Sequence, residues 1–257
     1  MPLPKDPLNV LIVGEIGVGK SSIVNLIARK SLVQDSPDSM VCTKKTTDYD
    51  MPANSEIPLN VWEVAGFNQP RDGNSPTEKD VSALDVDLGT ILARDRAAVD
   101  IVLFCIRGER VRVITTKVFD FVRELFEGQV PIVLVINHLE NEKVMEEWWA
   151  RNKEGLRERG IIGTEHVCVT GRPGHSKYEQ SHKALLKILR TNYATRRTKS
   201  LESIFIEYVR RNLNQRRKLA VKTLVKRYKL DKRTAKQLVD SVFPPKQRRW
   251  YSKLKLW

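Results

Sequence analysis

Eight consecutive residues carry the chemistry most plainly: Gly14-Glu15-Ile16-Gly17-Val18-Gly19-Lys20-Ser21. The fixed positions spell G-x-x-x-x-G-K-[ST], a loop that cradles phosphates. Gly14, Gly17 and Gly19 let the backbone curl, so that N–H groups, those of Glu15 and Val18 included, converge on one anion. A helix beginning here aims its partial positive charge at the same point. Lys20 would reach the outer phosphates, the Ser21 hydroxyl would hold Mg²⁺, and Ser22 would join the nucleotide contacts. The competing explanation is a glycine-rich turn with a chance Lys-Ser.

The flanking segments support the phosphate reading. Asn9-Val10-Leu11-Ile12-Val13 is a short, β-branched apolar run of the kind that forms a buried strand, and residues 22–30 have helical apolar spacing. Further strands are expected at 58–64, 100–106, 131–136 and 165–170. Helices are expected at 85–98, 111–126, 142–156 and from about 178. Strands alternating with helices imply an α/β fold: a doubly wound, mainly parallel sheet. In such a sheet ligands bind beyond the carboxyl ends of the strands, so the residues there are the next candidates.

They form an ordered series. After the 58–64 strand comes Glu63-Val64-Ala65-Gly66, where GTPases read Asp-x-x-Gly. The carboxylate would hold Mg²⁺ and the Gly66 N–H would meet the terminal phosphate. Glu63 is one methylene longer than Asp, which matters because Mg²⁺ demands near-ideal octahedral geometry. After the 131–136 strand comes Asn137-His138-Leu139-Glu140, in place of Asn-Lys-x-Asp. Glu140 can accept hydrogen bonds from the N1–H and exocyclic amine of guanine, a pattern adenine lacks. His138 stands where a lysine normally covers the base. After the 165–170 strand, Gly171 within Thr170-Gly171-Arg172-Pro173 offers backbone contacts. A switch threonine that binds Mg²⁺ is expected in Val41-Cys42-Thr43-Lys44-Lys45-Thr46-Thr47. Thr43 is the first choice and Thr46 the second, with Thr47 also a candidate. The same threonines would serve as ordinary loop or strand residues.

The chain resembles the TRAFAC GTPases, and within them the septin-like group that includes avirulence-induced and immunity-associated GTP-binding proteins; it is most similar to fungal G domain-containing proteins. The residues that carry the resemblance are Gly14 to Ser22, Cys42-Thr43, Trp62 to Gly66, Leu103 to Gly108, Leu139-Glu140 and Met145 to Trp149. It implies binding of GTP and GDP with Mg²⁺, slow hydrolysis with Lys20, Thr43 and Gly66 at the reacting phosphate, and nucleotide-dependent homodimerisation. Ras-like enzymes follow Asp-x-x-Gly with a Gln that orients the attacking water. Here that residue is Phe67, which cannot do so, and Gln69 is two residues further on. Arg71 is a candidate arginine finger, set against the commoner solvated loop arginine. These departures admit a nucleotide-binding scaffold that does not turn over. An ATPase is the third reading, if Glu140 does not read guanine.

Charge divides the chain of 257 residues. Residues 1–190 hold 25 Lys/Arg against 27 Asp/Glu, and residues 191–257 hold 20 against 4. The expected organisation is a G domain over 8–190 and a basic helical region over 191–257. Apolar spacing predicts helices at 203–213, at 216–228 and after Asp231, a candidate N-cap. The basic region would lie on an anionic membrane, bind nucleic acid, or pack on the G domain with its Lys/Arg face solvated. Cys42, Cys105 and Cys168 are too few and too scattered for a disulfide framework. They suit a reducing, cytoplasmic compartment, with Cys105 and Cys168 in core-forming runs. No apolar run reaches membrane-spanning length. Trp148 and Trp149, adjacent on a helix, cannot share a face, so one is expected in the core and the other at its boundary, the simpler account, or against a partner.

Overall fold

The computed structural model describes residues 6–32, 47–51, 57–64, 98–109, 111–212, 217–227 and 230–243. The strands are β1 (Leu8–Gly14), β2 (Thr47–Asp50), β3 (Leu59–Glu63), β4 (Ala98–Val99), β5 (Ile101–Arg107), β6 (Ile132–Asn137), β7 (Glu165–Cys168) and β8 (Lys199–Ser200). The helices are α1 (Lys20–Ala28), α2 (Val113–Phe126), α3 (Met145–Glu158), α4 (Tyr178–Thr195), α5 (Leu201–Asn212), α6 (Arg217–Arg227) and α7 (Lys232–Val242).

Six strands form one sheet in the order β2-β3-β1-β5-β6-β7. All neighbours are parallel except β2, which runs antiparallel along the edge. The central strands are apolar throughout because both faces are covered. Alternate side chains feed two separate cores. Val10, Ile12, Leu103, Cys105, Val133 and Val135 pack with Ile23, Leu26, Leu185 and Leu189 of α1 and α4. Leu11, Val13, Phe104, Ile106, Leu134 and Ile136 pack with α2 and α3, including Phe119, Phe126 and Trp148. This is the doubly wound α/β sheet expected from the alternation of strand and helix patterns. Helix 85–98 falls outside the described residues up to position 97. Its last residue, Ala98, is strand rather than helix, because it pairs with Ser200 in the small antiparallel β4–β8 ribbon.

The basic C-terminal helices join the second core. Leu201, Ile204, Phe205, Tyr208 and Val209 of α5, Ala220 and Leu224 of α6, and Ala235, Leu238 and Val239 of α7 share one apolar cluster with Phe121, Val122 and Leu125 of α2. Lys218, Lys222, Lys226, Lys232, Arg233 and Lys236 are exposed. α7 begins at Asp231, whose carboxylate accepts from the N–H groups of Arg233 (2.9 Å) and Thr234 (3.0 Å), the N-cap expected from sequence. α4 runs on to Thr195, so the compositional division at 190/191 falls within a single helix.

Trp148 is buried, while Trp149 is half-buried and stacks on His166 with ring centroids 4.0 Å apart. Cys105 and Cys168 are buried, and burial pushes each thiol up to about 12, so both behave as small core residues. Cys42 lies outside the described residues. No described helix is long and apolar enough to cross a membrane.

Candidate nucleotide site

The glycine loop joins β1 to α1 at the carboxyl edge of the sheet, as its spelling requires. Gly17 and Gly19 have φ of 80° and 82°, left-handed values that favour glycine. At Gly19 the need is also steric, because a Cβ there would lie 2.3 Å from the Asn137 amide nitrogen. Lys20 is only 6% exposed, and its ammonium donates to the carbonyls of Gly14 and Glu15, both at 3.1 Å. The cation is therefore folded back into the loop that a phosphate would occupy. The Glu15 side chain points elsewhere. Its carboxylate accepts from the Thr115 hydroxyl and lies 3.8 Å from the Arg112 guanidinium, both at the start of α2. Glu15 thus offers a nucleotide its backbone only.

Asn137, at the end of β6, ties the loops together. It is 1% exposed. Its amide nitrogen donates to the carbonyls of Val18 (3.1 Å) and Gly19 (3.5 Å), and its amide oxygen accepts from the Gly171 N–H at 2.9 Å. Gly171 in turn sits against α1, where a Cβ would come within 2.8 Å of Ser22 Cβ. One side chain thereby fixes the phosphate loop against the Thr170–Gly171 loop, and glycines allow the close approach on both sides.

The residues expected at the guanine sit in the next turn. Glu140 is half-buried; its carboxylate accepts from the Thr170 hydroxyl at 3.1 Å. Burial pushes this carboxyl up. Hydrogen bonds from its own backbone N–H and from Thr170, with the nearby His138 and Arg172, outweigh burial and hold it below the usual carboxylate range. It is ionised at neutral pH, as an acceptor for a cyclic N–H and an amine must be. The Lys177 ammonium donates to the carbonyls of Glu140 (3.2 Å) and Glu142, clamping this turn from below. His138 adopts φ 65°, uncommon for a non-glycine residue, and its Nε2 is buried. Burial and the Arg107 guanidinium lower its pKa, so the ring is neutral at pH 7.

Ser21 and Glu63 meet where a metal would sit. The Ser21 hydroxyl donates to Glu63 Oε1 at 2.8 Å, and the Tyr49 hydroxyl donates to Oε2 at 3.0 Å. A hydroxyl and a carboxylate are the hard oxygen donors that Mg²⁺ takes, so the residues present fit that ion. Burial, reinforced by the Glu63 charge, raises the Tyr49 phenol far above its ordinary value and keeps it a donor. Thr43, Thr46, Gly66, Phe67, Gln69 and Arg71 lie outside the described residues; Thr47 begins β2.

A family model described as 50S ribosome-binding GTPase matches residues 9–138, just over half of the chain. The chain belongs to this GTPase family. The matched span of this chain runs from β1 to His138 and so includes the phosphate loop, Glu63 and Asn137. No curated protein matches it. Among solved structures, a dimerization-deficient mutant of Toc33 from Arabidopsis thaliana is 17% identical with a TM-score of 0.56, covering 74% of this chain and 85% of that chain. Toc33 in complex with GDP and Mg²⁺ is 16% identical with a TM-score of 0.51, over 76% and 88% of the two chains. A third structure concerns the chloroplast translocon components atToc33 and psToc159, for which dimerization is important for GTPase activity; it is 16% identical with a TM-score of 0.57, over 74% and 84%. At these identities the likeness is one of fold.

Sequence reasoning named the phosphate loop, Glu63, Asn137, His138, Glu140 and Gly171, and the described ones converge on one edge of the sheet. It missed Tyr49, Lys177 and Thr115. Tyr49 acts through the register of β2 on β3, and Lys177 through the return of a loop onto the 140–142 turn. Neither leaves a local sequence pattern.

Proposed function

We propose that the protein binds GTP and GDP with Mg²⁺ and hydrolyses GTP slowly. One observation carries the reading: Asn137 joins the Lys20 loop to the turn that presents the ionised Glu140, so a phosphate subsite and a guanine-reading carboxylate belong to one rigid unit. Lys20 would turn from the carbonyls of Gly14 and Glu15 to the outer phosphates, exchanging weak acceptors for charged ones. Ser21 and Glu63 would hold Mg²⁺, joined by Thr43, with Gly66 at the terminal phosphate. When bound, the ion neutralises charge on the phosphate oxygens. His138 would lie beside the base, and Gly171 would meet it through the backbone.

Slow turnover rests on Phe67, which brings no group to orient water. The same residue supports the second reading, a scaffold that holds nucleotide without cleaving it. Affiliation with the septin-like, immunity-associated group rests on the sequence resemblance. Nucleotide-dependent homodimerisation draws support from that resemblance and from the dimers named for the Toc33 structures. The exposed lysines of α6 and α7 form the surface on which a polyanion, nucleic acid or anionic membrane, would bind. Two free, buried cysteines suit a reducing, cytoplasmic setting.

The test is a titration with fluorescent GDP, GTP and ATP, followed by a phosphate-release assay. Guanine preference with slow release, and loss of binding in Lys20→Ala, is the expected result. Preference without release selects the scaffold. Equal affinity for ATP removes the role of Glu140, and binding of neither nucleotide overturns the reading altogether.

A further inference from the structure

Both oxygens of the Glu63 carboxylate have an assigned hydroxyl. Ser21 approaches Oε1 at 2.8 Å from the first turn of α1, and Tyr49 approaches Oε2 at 3.0 Å from the edge strand β2. The register explains how Tyr49 gets there. Thr47 pairs with Glu63 and Tyr49 pairs with Val61, so Tyr49 and Glu63 are diagonal neighbours on one face, within reach of a long aromatic side chain. Glu63 itself is 1% exposed, so water does not compete for these contacts.

The geometry points to Tyr49 as a positioning residue for the metal site: its hydroxyl fixes the Glu63 carboxylate so that a side chain one methylene longer than aspartate presents a single defined oxygen beside Ser21. The proposal rests on the nucleotide and Mg²⁺ reading above and explains its most awkward departure. Glutamate has one more rotor than aspartate, and each free rotor costs entropy when a rigid octahedral ion must be met. A donor on Oε2 removes that freedom before the ion arrives. It also leaves Oε1 facing the serine that would share the ion. In this role the Tyr49 hydroxyl acts through Glu63.

The experiment uses the full chain loaded with fluorescent GDP and chased with excess GDP, across a Mg²⁺ series and in EDTA. Mg²⁺ is expected to slow release in the wild type. In Tyr49→Phe the Mg²⁺ concentration for half of this effect should rise about tenfold, the scale of a lost hydrogen bond to a charged group. Release in EDTA should match wild type. In a Glu63→Asp background the shorter carboxylate lies out of the hydroxyl's reach, so adding Tyr49→Phe should change little; the double-mutant cycle isolates the contact. An unchanged midpoint in Tyr49→Phe overturns the proposal while leaving nucleotide binding intact. An equal shift in the Glu63→Asp background, or a Tyr49→Phe protein that does not fold, assigns Tyr49 to packing and overturns it as well. A wild type that holds no GDP overturns the nucleotide reading and this inference with it.

Discussion

Asn137→Ala puts the site's construction to its sharpest test. The substitution removes three hydrogen bonds from a side chain that is 1% exposed, leaving the Gly171 N–H and the Val18 carbonyl inside with no replacement. Each buried polar group so stranded costs about 1–3 kcal/mol. The free protein escapes part of this cost by letting the two loops part and hydrate. Nucleotide binding must then bring them back together, so the cost is transferred to affinity. Taking about 2–4 kcal/mol, the Kd for fluorescent GDP should rise about 30- to 1,000-fold. Asn137→Asp sharpens the test. It keeps an acceptor for Gly171 but turns a carboxylate oxygen toward the Val18 carbonyl, a buried like-polarity contact. It should therefore bind at least as poorly as Asn137→Ala despite its near-identical volume. Equilibrium titration in Mg²⁺ reads both. Asn137→Ala binding within about threefold of wild type, or Asn137→Asp binding like wild type, would refute the argument that this side chain assembles the site.

Two further expectations concern the rest of the fold. Phe205 is fully buried in α5, so Phe205→Ala should cost about 3–5 kcal/mol in urea unfolding and shift the single transition of the whole protein; a separate transition with the remainder unchanged would contradict a shared core. Burial, with Arg29 nearby, lowers the pKa of His182, and the unfolded chain takes up the proton near the ordinary value of about 6.5. The native state then binds fewer protons than the unfolded one, so stability falls as pH drops through that range, and His182→Gln should lose less between pH 7.5 and pH 5.5 than wild type when urea midpoints are compared at about those values.

Most of the site was legible because its chemistry is local. Eight residues of fixed spacing fold into the phosphate loop whatever surrounds them, and the residues after each strand were placed by the rule that parallel strands deliver their carboxyl ends to one edge. The edge strand β2 was not legible. Thr47-Asp48-Tyr49-Asp50 is short and polar, and only its pairing with β3 gives Tyr49 a task. The two-residue ribbon of β4 and β8 was hidden for the same reason, since Ala98 meets Ser200 across a hundred positions of chain. The apolar spacing of the basic C-terminal region was legible, while its composition left membrane, nucleic acid and packing on the G domain open. The described lysines of α6 and α7 are exposed, while the helically spaced Ile204, Phe205, Tyr208, Leu224 and Leu238 carry the packing.

That packing has a consequence for biosynthesis. The α2 residues Phe121, Val122 and Leu125 leave the ribosome well before Phe205, Leu224 and Val239, which share their apolar cluster, exist to pack with them. Translation proceeds at about 5–20 residues per second, so an unfinished apolar surface stands exposed for several seconds on each nascent chain. The phosphate loop is made early, but the packing of α5 on α2 closes late. A chain stalled near residue 195 would leave that surface uncovered and open to chaperones.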